Sequence, residues 1–217
     1  MSIRHRGFLL GAALVISVSL YGCGEPSPAV TRTITSAPFE SIRARGSFSL
    51  DVSFGPVQKV SITGPPEYLD QVKTDQEMGR RLMIEAPRGV GEDATMKVAI
   101  VLPKLKALYI GGALIVSLRG LDQKATLLDV SGTSEVKVSG TLEYAQIDCT
   151  GQSSIDATLL ATQRVEAATS GNCTMNVRVS DLLAADLNGK SVVGYYGSPK
   201  TVKKSIEGGG AVIHRGP

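Results

Sequence analysis

An all-β fold is what the sequence predicts: an N-terminal antiparallel β section followed by a parallel β-helix, or β-solenoid, with turns of about 19 residues. Three observations carry this expectation. A glycine followed four residues later by an apolar residue recurs six times, at Gly112, Gly132, Gly151, Gly171, Gly189 and Gly208, with partners Val116, Val136, Ile155, Met175, Val193 and Val212. The steps between those glycines are 20, 19, 20, 18 and 19 residues. Within each period apolar residues alternate with polar ones, as in strands, and the chain has no tryptophan and few helical patterns.

The chain opens with "MSIRHRGFLLGAALVISVSLYGCGEP", in which Arg4 and Arg6 precede an apolar run from Phe8 to Leu20. That run is too short for a membrane-spanning helix and reads as an export signal over residues 1–22. "LYGC", Leu20 to Cys23, resembles the lipobox of bacterial lipoproteins, although Tyr21 departs from the small or branched residue usual there. Cys23 is then the expected lipidation site and residues 23–36 a lipidated tether. Gly24, in place of Asp, resembles the outer-membrane default of Gram-negative sorting, so the expectation is an exported protein anchored there by its N-terminal lipid.

Removing 22 residues leaves 195, with 21 basic and 20 acidic side chains. So even a balance gives no electrostatic case for nucleic acid. The length is ample for a core.

Residues 37–103 read as the N-terminal β section. The strands are "FESIRARGSFSLDVSF" from Phe39, "QKVSITG" from Gln58, "RRLMIEAP" from Arg80 and "MKVAIVLP" from Met96. Alternation such as Phe48, Leu50, Val52 and Phe54 turns one apolar face inward. Gly55-Pro56, Gly64-Pro65-Pro66 and the polar loop 88–95 are turn signals, and "PPEYLDQV", Pro65 to Val72, reads as a short helix with prolines at its start. This section is expected to cover the front of the solenoid.

Residues 104–217 hold the repeat. Four residues before the glycines stand Leu108, Leu128, Ile147, Ala167, Ala185 and Lys204; two before stand Ile110, Val130, Cys149, Thr169, Leu187 and Ile206. Even offsets are mainly apolar, whereas odd ones hold residues such as Asp129, Lys137, Asp148 and Asp156. Two strands per turn meeting at a glycine corner follow, with Val136 packing on Val116 and Ile155 about 4.8 Å away in neighbouring turns.

The entry "FESIRARGSFSLDVSFG", the repeated small-Gly corner and above all the ending "GYYGSPKTVKKSIEGGGAVIHRG" resemble the bacterial family of auto-transporter adhesins with a head GIN domain. Tyr195, Tyr196, Gly197, Pro199 and Gly208 carry the most specific part of that resemblance, which spans Phe39 to Arg215. It implies an exported all-β protein, often a lipoprotein, whose helical section is right-handed, and it brings no catalytic residues.

Asp129, Asp148 and Asp186 stand three residues before their glycines, with Ala168 interrupting. Asp129 and Asp148 would lie one strand spacing apart, close to the roughly 5 Å between the carboxylates of retaining glycosidases. That pair supports the alternative of a glycan-active β-helix enzyme. The leading expectation is a non-catalytic envelope lipoprotein, adhesin-like or structural, because no Arg, Lys or aromatic column is seen beside those acids.

Asp129 and Asp148 therefore stand as candidate ligand contacts with Tyr196, whose ring could stack on a glycan, while Tyr195 and His214 fall in an inward column. Without its signal the chain has one histidine, His214, too little for a triad or a multi-histidine metal centre. No cofactor or metal is implied; the expected partners are the membrane, through the lipid, and a glycan or another envelope protein. Cys149 and Cys173, an even number in an oxidising compartment, occupy different columns; the expectation is two separate small core residues, with a disulfide between them as the alternative if the corner folds those positions together.

Overall fold

The structure is a computed structural model that describes residues 29–77, 80–86 and 96–217; the expected signal segment, Cys23 and the loop 88–95 lie outside the described residues. In chain order β1 (Val30–Ile34), β2 (Ser41–Gly46), β3 (Ser49–Phe54) and β4 (Lys59–Gly64) lead to the short helix α1 (Pro66–Leu69). Next come β5 (Lys73–Glu77), β6 (Arg81–Glu85), β7 (Lys97–Leu102) and β8 (Ala107–Gly112). The long strands β9 (Ile115–Gly132), β10 (Glu135–Gly151), β11 (Ser154–Gly171) and β12 (Thr174–Gly189) follow, then β13 (Val192–Tyr196), β14 (Thr201–Gly208) and β15 (Ala211–Gly216).

Parallel ladders stack these strands into a β-solenoid. β9, β10, β11 and β12 pair in sequence, each long strand bending so that its first part belongs to one turn and its second part to the next. The repeat registers glycine on glycine, Gly112 on Gly132, Gly132 on Gly151 and Gly151 on Gly171. All six repeat glycines have φ between 99° and 115°, where a side chain is strained. Val136 sits in register with Val116 on one side and Ile155 on the other.

The inward columns explain the core. Residues four and two before the corner, and two, four and six after it, are buried in turn after turn, as with Ile147, Cys149, Ser153, Ile155 and Ala157. The column two after the corner is polar yet buried in three turns, at Ser134, Ser153 and Ser191. Its serines close a ladder in which Leu114 N donates to Ser134 Oγ (3.0 Å), Ser134 N to Ser153 Oγ (3.0 Å) and Cys173 N to Ser191 Oγ (3.1 Å). These hydroxyls satisfy buried corner amides that the parallel ladder leaves free.

The antiparallel part is present, as β4 on β7, β1 on β4 and β5 on β6. It is mixed with two further solenoid turns, however. β2 and β3 bend at Gly46 (φ 125°) and stack in parallel on β8 and β9, so the corner column begins one glycine earlier than the repeat suggested. β6 and β7 stack in parallel on the other side of β2 and β3, with Ala86 beside Gly46. Parallel ladders therefore join strands before residue 103 to strands after residue 104.

Two strands were not expected. Residues 30–34, read as tether, form β1, whose side chains are nearly all exposed and so carry no apolar alternation. Arg32 fastens it, donating to Asp70 Oδ1 (2.7 Å) and Leu69 O (3.2 Å). β5, equally polar, edges β6; α1 is shorter than expected and ends at Leu69. At the far end the last turn is open. β14 is exposed throughout, and Lys204 and Ile206 occupy columns that are buried in earlier turns.

Candidate functional site

Because strand side chains alternate, the residues three before each corner point outward, and the parallel register lines them up along the solenoid axis. That outward column reads Met83, Arg43, Tyr109, Asp129, Asp148, Ala168, Asp186 and Ser205, one residue per turn. Asp129 and Asp148 are thus direct register neighbours. Asp186 is separated from them by Ala168.

This column corrects one expectation. Arg43 and Tyr109 do accompany the acids, in the same column. The guanidinium carbon of Arg43 lies 5.5 Å from the Tyr109 ring centre and that of Arg81 lies 4.6 Å from it. The sequence hid Arg43 because it belongs to a turn outside the regular repeat, whereas Tyr109 stands three residues before Gly112, within it. A cleft of about 100 Å³ lies among Arg43, Tyr109 and Asp129.

Partial burial raises the Asp129 pKa from its ordinary value; the Asp148 charge adds to this and Arg43 opposes it. A carboxyl whose folded pKa is raised favours the fold at low pH and costs stability once pH passes through that value. Asp129→Asn should therefore melt no lower than wild type at pH 7, and any gain should vanish near pH 3, below the ordinary carboxylate pKa of about 3.9. Thermal melts at the two pH values check this; a lower melting temperature at pH 7 would mean that the ionised carboxylate makes a needed contact.

Farther along, the column opens into a trough of about 410 Å³ lined by Asp148, Ala168, Ala184, Asp186 and Lys203. Two alanines make the depression, since larger side chains flank them. Gln146 Nε2 donates to Asp148 Oδ2 (3.0 Å), which fixes that carboxylate on the rim. On the same strip the Tyr144 hydroxyl donates to Glu166 Oε2 (2.8 Å); partial burial and that carboxylate raise the phenol pKa. Tyr144 and Glu166 stand seven and five residues before their glycines, Gly151 and Gly171, at outward offsets beyond the columns read from sequence.

The other candidates lie elsewhere. Tyr196 is half-buried on β13, its ring centre 5.7 Å from the Arg178 guanidinium carbon, and Arg178 Nε donates to Thr158 O (3.1 Å). Tyr195 packs against the core and stacks on His214 with ring centres 4.8 Å apart, and His214 Nε2 hydrogen-bonds Gly197 O (3.0 Å). Both act within the last turns. Among the described residues no three His, Cys, Asp or Glu side chains are grouped to hold a metal ion, and no helix is long and apolar enough to cross a membrane.

Cys149 and Cys173 are joined in a disulfide, their Cα atoms 6.3 Å apart, which corrects the expectation of two separate core residues. The positions two before and two after a corner both point inward, so the bend brings neighbouring turns within reach of each other there.

The family described as "Putative auto-transporter adhesin, head GIN domain" matches residues 38–199. No curated protein matches the sequence. A crystal structure of a "putative adhesin" from Bacteroides fragilis is similar over 87% of this chain and 98% of its own, at 22% identity and a TM-score of 0.63, which shows a shared fold. A "putative lipid binding protein" from Parabacteroides distasonis is 18% identical over 85% of this chain and 96% of its own, with a TM-score of 0.44.

Proposed function

This chain belongs to the head GIN domain family of auto-transporter adhesins, and from that premise we propose that it is a non-catalytic binding module of the bacterial envelope. It is exported, acylated at Cys23 and held at the outer membrane, with the outward ladder of the solenoid facing its partner. The observation that supports this most directly is the open trough, where Asp148 and Asp186 flank Ala168 on a strip that every turn extends by one residue. Such a strip offers repeated contacts on a rigid scaffold.

Anchoring is tested by fractionation. Cys23→Ala should move the protein from the membrane fraction to the soluble one with its melting temperature unchanged. Wild-type protein found wholly soluble after signal removal would reject the lipid anchor.

A second reading, glycan cleavage, is favoured by Arg43 and Tyr109 beside Asp129 and by the raised pKa of that carboxyl. The binding reading ranks higher because the raised pKa of Asp129 comes first from its partial burial, which a structural carboxyl shows as readily as a catalytic one, and Arg43 works against the protonated form a general acid needs. Incubating the protein with envelope polysaccharides and assaying new reducing ends separates the two. Reducing ends made by wild type and absent with Asp129→Asn would make this protein an enzyme.

A further inference from the structure

A second concave strip lies at the other bend of each turn. There β9, β10, β11 and β12 curve between their two halves, and the trench they form has a volume of about 530 Å³. One wall follows the register Asp122, Thr141, Ala161, Arg178 and continues to Tyr196 on the next rung. The facing wall carries Lys124, Glu143, Gln163, Ser180 and Ser198. Between them the inward residues Leu142, Thr162 and Val179 are buried, so the floor is the strand backbone itself.

We propose that this trench binds an extended, uncharged glycan, with Tyr196 as the stacking platform at one end. The proposal rests on the non-catalytic binding reading and names its ligand class. Three features favour a glycan. Hydroxyl, amide and charged groups face each other along the trench, matching sugar hydroxyls that both donate and accept. The charges on the walls cancel, Asp122 and Glu143 against Lys124 and Arg178, which disfavours a polyanion. The backbone of the floor is already paired in parallel ladders, so an extended peptide would find no strand edge to join there.

Rungs recur every 4.8 Å or so, a spacing that lets successive sugar rings meet equivalent positions. Tyr196, half-buried on the rung next to Arg178 and adjoining the lining residues Gly197 and Ser198, supplies an aromatic ring of the kind that stacks on the C–H face of a sugar.

The test uses the full chain in detergent, titrated with cellohexaose, chitohexaose and maltohexaose, with hexagalacturonate and a Gly/Ser decapeptide as comparators, by calorimetry. At least one neutral hexasaccharide should bind. Its affinity should fall tenfold or more in Tyr196→Ala and in Gln163→Ala, and persist in Tyr196→Phe, with melts confirming that each variant folds. No binding by any neutral hexasaccharide overturns the proposal, as does preference for the hexagalacturonate or the peptide. Glycan binding that survives both alanine variants but is lost in Asp148→Asn places the site on the acidic ladder, overturning the trench while leaving the binding module standing. Release of reducing ends from the bound hexasaccharide overturns the non-catalytic reading and this proposal with it.

Discussion

Replacing Gly151 by valine is expected to lower stability by about 3 kcal/mol or more and to drop the melting temperature by several degrees. Two costs act at once. Gly151 has φ 99°, a region a β-branched residue enters only under strain. A Cβ there would also stand 2.6 Å from Gly132 O, the carbonyl that accepts from Gln152 N at 2.8 Å. Relieving that contact means opening the hydrogen bond that links the two turns. The same bond recurs at the corners on either side, from Thr133 N to Gly112 O and from Asn172 N to Gly151 O (both 2.8 Å), so a displaced turn would disturb both neighbours. Thr150→Val, one residue away and exposed, is the control and should change stability by no more than about 0.5 kcal/mol. Equal melting of Gly151→Val and wild type would mean that the corner does not need a residue without a side chain.

The same corner explains what could be read from sequence. Where turns follow one another directly, each residue's spatial neighbour lies one period along the chain, and the buried columns from Leu108 to Val193 emerge by simple alignment. Gly46 escaped because 66 residues separate it from Gly112. In that interval the chain leaves the stack, builds β4, α1 and β5, and returns through β6 and β7 on the far side of β2 and β3. Yet Ile42, Ala44, Leu50 and Val52 stand at the same offsets from Gly46 as the buried residues of the repeat, and all are buried. Matching the offsets alone, without demanding the period, would have found that turn and put Arg43 in line with Tyr109 and Asp129.

The second bend was illegible for a different reason. It has no fixed residue, since turn lengths vary there through bulges between Lys137 and Ser139 and between Ala157 and Ala161. Residues such as Asp122, Thr141 and Arg178 become neighbours only after those irregularities are counted, so no column could be read. Polar strands at the margin, β1 and β5, failed as signals because one exposed face and a single partner strand leave no apolar alternation to see.

Loss of the Cys149–Cys173 bond is expected to cost about 2–4 kcal/mol, the second large effect. The bond closes a loop of 24 residues, a little more than one full turn, and so staples one turn to the next at the corner. Its constraint falls mostly on the unfolded chain, which loses freedom in proportion to the logarithm of the closed loop. The location also matters. At Cys173 the serine ladder is interrupted, because the position that holds a hydroxyl in Ser134, Ser153 and Ser191 holds sulfur here. The covalent link stands where the neighbouring turns use a hydrogen bond. The double variant Cys149→Ala/Cys173→Ala should unfold at lower denaturant concentration than wild type under non-reducing conditions. Adding a reductant during unfolding should bring wild type down toward the variant and leave the variant unmoved. A peptide map of the unreduced protein should show the two cysteines linked. Coincident unfolding curves for wild type and the double variant without reductant would mean that the staple contributes nothing and that stacking of the turns alone holds this corner.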